Sequence, residues 1–266
     1  MVSDIRRRTK EKHPLIHCIT NPISINGCAN VILAAGARPM MAEHPDEVSE
    51  VTRTAGAVML NLGNLTDVRK SSMLISAETA KKLGIPFILD TCGAACLANR
   101  RELALRIIND MTPSVIKGNY SEIKALCDEG YSSSGVDADT ALGTEDIARC
   151  ASELAVRYDA VVLASGVTDI VTDGKRMTYI RNGTPQLGTI TGTGCMLGAL
   201  CAAYLTGALP YDASAAACAV FGICGELAQT DKGSGTFYVQ LLDALSTVND
   251  SIIAEKIRTE ERGKVY

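Results

Sequence analysis

Short apolar runs alternate with amphipathic segments along the first 165 residues of the chain. The runs are apolar at nearly every position, which is typical of strands buried on both faces of a parallel sheet. The segments between them carry Ala, Leu, Lys and Glu at helical spacing. This alternation predicts an α/β fold with a central, mostly parallel sheet and helices on both faces. The predicted strands are 14–20, 37–42, 57–63, 86–90, 114–119 and 160–165, and the predicted helices are 25–35, 46–55, 67–83 and 100–109.

The pattern changes after position 165. Residues 169–183 (DIVTDGKRMTYIRNG) read as two strands joined by an Asp-Gly turn, which predicts a hairpin at one end of the sheet. Further helices are predicted over 194–205, 212–229 and 237–249. Because no repeat, low-complexity tract or linker interrupts this order, we expect residues 1–266 to form a single domain.

Composition and charge narrow the range of partners. The 266 residues are 47% apolar and carry a net charge of −4, which disfavours a nucleic-acid or anionic membrane surface. The apolar stretch 196–228 is broken at Pro210, and each half falls short of the roughly 20 residues that a membrane span requires. Since no signal peptide opens the sequence, we expect a cytoplasmic protein with no membrane and no nucleic-acid partner.

Ten cysteines raise the question of zinc or disulfides. Cys92 and Cys96 form a C-x₃-C pair, but neither a second pair nor a histidine cluster follows at ligand spacing. Most of the cysteines are therefore interpreted as small core side chains of a protein in a reducing compartment.

Polar and glycine residues cluster at the carboxyl ends of five of the predicted strands. The carboxyl ends of parallel strands meet at one edge of a sheet, which is where ligands bind. Any one of these residues could be an ordinary turn former, whereas their recurrence at five strand ends indicates a binding site. The five groups are Thr20-Asn21, Asn61 with Gly63, Asp90 with Gly93, Lys117-Gly118-Asn119 and Ser165-Gly166.

The stretch TITGTGCMLGAL (189–200) adds a glycine-rich helix start. Its G-x-G-x-x-x-G spacing misses the dinucleotide fingerprint by one position, and the chain contains no G-x-x-x-x-G-K-[ST] phosphate loop. Glycines ahead of a helix still let an anion approach, because the helix start offers unpaired N–H groups and a positive dipole end. This arrangement suits an oxyanion or a phosphoryl group in transfer.

Two carboxylates are candidates for holding magnesium. Asp90 ends one predicted strand and Glu122 follows another, and a pair of carboxylates beside phosphates usually holds Mg²⁺ through water. The alternatives are that Asp90 caps a helix and that Glu122 lies on a solvated helix face.

Seven blocks, in order and at matching spacing, resemble the hydroxyethylthiazole kinases, a thiamine-salvage branch of the ribokinase-like superfamily. Together they span essentially the whole chain, so the resemblance does not depend on the glycine stretch alone. The blocks are HCITNPISINGCANVILAAGARPMMAEHPDEV (17–48), LNLGNL (60–65), ILDTCGAAC (88–96), IKGNYSEI (116–123), ASGVTDIV (164–171), TGTGCMLGAL (191–200) and DKGSGTFYVQLLDAL (231–245).

The resemblance implies a ribokinase-like kinase that transfers the γ-phosphate of ATP, with Mg²⁺, to the primary hydroxyl of 4-methyl-5-(2-hydroxyethyl)thiazole. It also implies a homotrimer with each thiazole site between two subunits. Residue roles follow position by position: Met41, Gly192 and Asn21 for substrate, Lys117, Ser165 and Asn119 for the nucleotide, Asp90 and Glu122 for the metal, and Cys195 as the catalytic residue nearest the accepting hydroxyl.

The chain also departs from the family pattern. Ala95 stands where glycine is usual, Lys117 where arginine is usual and Ser165 where threonine is usual, and these changes bear on nucleotide affinity. Three other functions stay open at this point: a kinase for another small alcohol, an ATP-dependent dehydratase of the related fold, and a non-catalytic thiazole-binding subunit.

Sugar kinases of the superfamily carry an Asp, used as a base, where this chain has Cys195. A thiol can replace it because phosphoryl transfer demands positioning and charge stabilisation more than a strong base. We expect the helix start to lower the pKa of the Cys195 thiol from about 8.5. The hypothesis is that Cys195 orients the alcohol and accepts its proton late.

Overall fold

The computed structural model describes residues 1–133 and 142–263. Its centre is a sheet that contains β1 (Leu15–Ile19), β2 (Arg38–Met40), β3 (Ala57–Asn61), β4 (Phe87–Asp90), β5 (Val115–Asn119), β6 (Val161–Ser165), β7 (Asp169–Thr172), β8 (Arg176–Ile180) and β9 (Thr259–Gly263). The strand order is β2-β1-β3-β4-β5-β6-β7-β8-β9. The first six strands run parallel, and the last three continue the sheet in antiparallel pairs.

Helices cover both faces of this sheet. They are α1 (Val2–Lys12), α2 (Ile25–Ala34), α3 (Pro45–Thr54), α4 (Asp67–Leu83), α5 (Ala98–Met111), α6 (Tyr120–Cys127), α7 (Thr144–Tyr158), α8 (Thr193–Leu205), α9 (Pro210–Leu227), α10 (Ser234–Thr247) and α11 (Asp250–Lys256), with a 3₁₀ helix over Pro185–Thr189. The predicted α/β fold and its six parallel strands are confirmed.

The predicted hairpin forms from β7 and β8, but it is not the outermost part of the sheet. β9 pairs with β8 beyond it, which corrects the expectation that the hairpin ends the sheet. The sequence TEERG of β9 lacks the apolar positions that mark a strand, and most of its side chains are exposed. Backbone hydrogen bonds to β8, rather than burial, therefore define this strand.

Two apolar layers flank the sheet. One lies under α1, α2, α8, α9 and α10, and the other under α3 to α7. Nearly every residue of α8 and α9 is buried, which confirms that the apolar stretch 196–228 forms core helices. Within residues 1–133 and 142–263, no helix is long and apolar enough to cross a bilayer.

Candidate active site

Three polar side chains lie side by side where β3, β4 and β5 end. Asn61 is in register with Asp90, and Asp90 is in register with Lys117. Side chains of a strand alternate between its faces, and the residues two positions before each of these belong to the layer under α8. The three polar residues therefore form one row that faces α8.

Gly192 allows α8 to begin beside this row. Its backbone is left-handed, with φ of 89°, and a Cβ on it would lie 2.9 Å from the Cβ of Ser24. Glycine meets both conditions without strain. The first helical residues, Thr193, Gly194 and Cys195, line the adjacent cavity, and their N–H groups have no partner within the helix. The predicted glycine-led helix start is confirmed.

A polar cavity of about 640 Å³ opens between the row and the start of α8. It brings together residues from five strand ends, because those ends share one edge of the parallel sheet. Eight of the nine residues to which the family resemblance gave roles line it, namely Asn21, Asp90, Lys117, Asn119, Glu122, Ser165, Gly192 and Cys195.

Met41 is the exception. It follows the edge strand β2, is half-buried and packs against the apolar layer under α8 rather than lining the polar cavity. One chain therefore does not bring the predicted substrate contact at Met41 to the same cavity as Cys195.

A buried ion pair joins two members of the row. The Nζ atom of Lys117 lies 2.9 Å from Oδ2 of Asp90, and both side chains are at most 5% exposed. Burial lowers the pKa of Lys117, but the charges of Asp90, Cys195 and Glu122 outweigh it and the net shift is upward. Asp90 is therefore the counter-ion of a lysine that stays charged, and not a helix cap.

Glu122 lies in the first turn of α6 and is 3% exposed, so its assignment to a solvated helix face is wrong. Its carboxylate accepts the N–H of Asn119 at 2.7 Å and that of Gly93 at 2.8 Å. The pKa of Glu122 is raised, first by burial and then by the charge of Asp90, while Lys117 and the two N–H groups oppose the rise. Glu122 thereby ties the loop after β4 to the start of α6.

The acidic residues fit a metal that arrives with phosphates better than one caged by the protein. In the described parts of the chain, no group of three or more His, Cys, Asp or Glu side chains could hold an ion. Asp90 and Glu122 nevertheless line the polar cavity. One or two carboxylates, phosphate oxygens and retained water are the usual ligands of Mg²⁺.

The sulfur of Cys195 accepts hydrogen bonds from two side-chain amides. Nδ2 of Asn61 lies 3.3 Å from Sγ, and Nδ2 of Asn21 lies 3.6 Å from it. Donors directed at a sulfur favour its charged form. The Cys195 sulfur is therefore a hydrogen-bond acceptor in this site.

The pKa of Cys195 is lowered to about 7, mainly by the neighbouring Cys92 thiol. The charge of Lys117 and the Ser24 hydroxyl act in the same direction, whereas burial and the charge of Asp90 oppose them. The direction agrees with the sequence prediction. The largest cause is the neighbouring Cys92 thiol, however, whereas the sequence indicates only the helix start.

A second, apolar cavity of about 490 Å³ adjoins the polar one. Ser165, Gly188, Thr193 and Gly194 line both cavities, so the start of α8 lies on their boundary. The apolar side chains of the second cavity are Val167, Pro185, Leu187, Leu197 and Phe221.

Arg100 also lines the polar cavity, although no feature of the sequence pattern marks it as a site residue. It is half-buried, and its Nη1 donates to the carbonyl of Cys92 at 3.2 Å. Within residues 1–133 and 142–263 no carboxylate forms an ion pair with it. From the sequence, an arginine in the first turn of a helix is expected to point into solvent. Arg100 faces the cavity because of how α5 packs in the fold.

The departures from the family pattern are accommodated locally. Ala95 is buried and is not among the described residues with positive φ, so the missing glycine causes no backbone strain there. The hydroxyl of Ser165 donates to the carbonyl of Gly118 at 3.3 Å.

All ten cysteines are free thiols, in agreement with the sequence interpretation.

The mostly parallel sheet, with a two-part cavity at a helix start, is the arrangement of the ribokinase-like fold. The pyridoxal kinase of Staphylococcus aureus in complex with pyridoxal shares this fold, with a TM-score of 0.65 at 13% identity over 94% of this chain and 98% of that one. A hydroxyethylthiazole kinase structure from Pyrococcus horikoshii OT3 has a TM-score of 0.91 at 35% identity over 98% of both chains.

The sequence comparisons define the family. Residues 7–251 match the Hydroxyethylthiazole kinase family. Hydroxyethylthiazole kinase 2 of Clostridium botulinum (strain Hall) is 46% identical over 96% of this chain and 98% of its own length. The hydroxyethylthiazole kinase of Thermoanaerobacter pseudethanolicus is 40% identical over 98% and 99%. The chain belongs to the hydroxyethylthiazole kinase family.

Proposed function

We propose that this protein transfers the γ-phosphate of ATP to the primary hydroxyl of 4-methyl-5-(2-hydroxyethyl)thiazole, a step of thiamine biosynthesis. The observation that carries the proposal is the position of Cys195 at the head of α8, where the polar and apolar cavities meet. A kinase needs this layout, because the phosphoryl group must lie between the nucleotide and the alcohol.

The apolar cavity is the proposed site of the nucleotide base. Apolar side chains bury an aromatic ring, while the polar boundary leads its phosphates toward the start of α8. Ser165 would contact the nucleotide at this boundary, and Asn119 would contact it from the polar cavity. Lys117 and Arg100 supply positive charge. Arg100 is the more available of the two cations for a phosphate, because Lys117 is already paired with Asp90.

The thiazole is assigned to the end of the polar cavity beside Asn21 and Gly192. Met41 would reach a thiazole from the edge of the sheet, so we propose that two subunits complete each site within a homotrimer. Ile23 supports this arrangement, since it lines the polar cavity and is 64% exposed in the single chain.

Proton transfer is assigned to Cys195. Its sulfur accepts the hydroxyl proton as the new O–P bond forms and the bond from the γ-phosphorus to the bridging oxygen breaks, which releases ADP. The N–H groups of Gly194 and Cys195 stabilise charge on the phosphoryl oxygens. Asp90 and Glu122 would hold Mg²⁺ through water, and such an ion would neutralise charge on the phosphates. Because the transition state is loose, a weak base in the right place suffices.

A coupled ADP-release assay with hydroxyethylthiazole and Mg·ATP tests the proposal. We expect ADP and a thiazole phosphate of matching mass in equal amounts, and omission of the thiazole should abolish ADP release. Release with a different small alcohol, but not with the thiazole, would reassign the substrate. Calorimetric binding of the thiazole with no ADP formed would make the chain a non-catalytic binding subunit.

A further inference from the structure

Asn61 is a fully buried amide at the end of β3 that directly contacts the proposed base. Its Nδ2 donates to the sulfur of Cys195 at 3.3 Å. A buried amide in a core layer is costly unless its groups are paired, so its partners define what it does. No role is assigned to Asn61 by the family resemblance.

The orientation of the Asn61 amide is fixed by its neighbours. Its Oδ1 accepts the backbone N–H of Gly63 at 2.9 Å and the Nδ2 of Asn21 at 3.0 Å. A backbone N–H can only donate, so the atom that faces Gly63 must be the oxygen. The nitrogen of the same amide must then face Cys195.

Asn21 is fixed by the same logic. Its Oδ1 accepts the backbone N–H groups of Ile23 and Ser24, both at 3.1 Å. Its Nδ2 therefore turns toward Asn61 and toward the Cys195 sulfur at 3.6 Å. The two amides form a chain that starts at backbone donors and ends with N–H groups on one sulfur atom.

We propose that Asn61 is a positioning residue whose amide holds the Cys195 sulfur as a hydrogen-bond acceptor, aimed at the alcohol that loses its proton. The part that concerns the alcohol rests on the proposed function. The hold on the sulfur does not, because it exists without substrate. A sulfur held in this way favours the thiolate, which is the form that accepts a proton.

Other groups around the sulfur must stay constant in a test. The titratable and charged groups that face it are Cys18 from β1, Asp90 and Cys92 from β4 and its following loop, and Lys117 from β5. Glu122 of α6 lines the same cavity. Substitution of Asn61 alone leaves all of them in place.

Two substitutions separate the donor from the shape of the side chain. Asn61→Asp keeps an oxygen for the N–H of Gly63 and places a carboxylate oxygen where the N–H faced the sulfur. Asn61→Ala removes the donor and adds no charge. The readout is the rate at which iodoacetamide labels Cys195 as a function of pH, without nucleotide or alcohol, with the labelled peptide identified by mass spectrometry.

We expect the apparent pKa of Cys195 to rise by about one to two units in Asn61→Ala, as for the loss of one hydrogen bond to a charged group. The rise in Asn61→Asp should be larger, since a like charge is added. The kcat for the thiazole should fall in both variants and recover as the pH is raised, with the KM for ATP unchanged. A merely structural role would not move the acid limb of the profile.

Asn109→Asp on the exposed face of α5 is the matched control, because it introduces the same charge far from the sulfur. It should label as the wild type does, and Cys195→Ala identifies any background from the other cysteines. A folded Asn61→Asp or Asn61→Ala protein with the wild-type labelling profile overturns the proposal. If neither variant folds, a wild-type labelling pKa at or above the ordinary value of about 8.5 overturns it. Shifted labelling without thiazole phosphorylation would refute only the proposed function.

Discussion

The polar and apolar cavities adjoin at the start of α8, yet they are built in different ways. The polar one rests on the ends of buried parallel strands, and its buried charged groups have partners within the protein. Asp90 pairs with Lys117, and Glu122 accepts hydrogen bonds from backbone N–H groups. The apolar one is formed largely by loop residues and by one side of α8 and α9. Sites on strand ends hold reacting groups more precisely than sites on loops.

This difference has an energetic side. Pairs buried in a low dielectric depend on each other, so the loss of one member leaves the other unsatisfied. Apolar contacts contribute roughly in proportion to the area they bury. Substitutions of the paired groups in the polar cavity should therefore change stability or turnover strongly, whereas substitutions in the apolar cavity should change nucleotide affinity slightly.

The largest effect is expected for Lys117→Met, which leaves the Asp90 carboxylate buried without its counter-ion. The free energy of unfolding, measured by urea denaturation, should fall by about 3–5 kcal/mol. The double variant with Asp90→Asn should recover part of the loss, because no charge is then left unpaired. A fall below about 1 kcal/mol, the value typical of exposed pairs, would contradict the picture of a buried pair.

The next effect concerns catalysis. Cys195→Ala should lower kcat by about 10²-fold, the low end for removal of a general base. Cys195→Asp should retain measurable turnover, since a carboxylate can accept the same proton. Cys201→Ala, which removes a buried thiol further along α8, serves as the control and should turn over normally. Wild-type kcat in Cys195→Ala would rule out the base role.

A smaller effect is expected for Arg100, the second cation of the polar cavity beside Lys117. Arg100→Met should raise the KM for ATP by about tenfold, in line with the loss of a hydrogen bond to a charged group, with little change in kcat. Arg106→Met removes an exposed arginine of the same helix and should leave the KM unchanged. Equal kinetics in the two variants would remove Arg100 from the nucleotide site.

The smallest effect is expected in the apolar cavity. Val167 lines it and is fully exposed in the free protein, so Val167→Ser should not disturb folding. The loss of about one buried methyl group should raise the KM for ATP roughly threefold to fivefold and leave kcat unchanged. A change in kcat instead would mean that this cavity is not the base site.

The sequence predicts the strands well and the contacts between their ends poorly. Runs such as AVMLN identify a buried strand. The Asn, Gly and Asp residues at the ends of such runs indicate the edge of the sheet where the site lies. Whether Asn61 lies beside Asp90 depends on which strands pair and in which register, and the residues around either position do not show which strand is the neighbour. The burial of Glu122 and the direction of the Arg100 side chain could not be predicted from the sequence either, because both depend on how the helices pack against the sheet.

The central claim is that the alcohol gives its proton to the Cys195 sulfur. The most direct test compares the pH dependence of kcat in the wild type and in Cys195→Asp, since any ionisation of ATP is common to both. A base with a pKa of about 7 predicts a wild-type kcat that falls about tenfold per pH unit below that value. In Cys195→Asp this acid limb should move to lower pH, because an aspartate ionises near 3.9 in the absence of perturbation. Coincident acid limbs in the two proteins would contradict the claim.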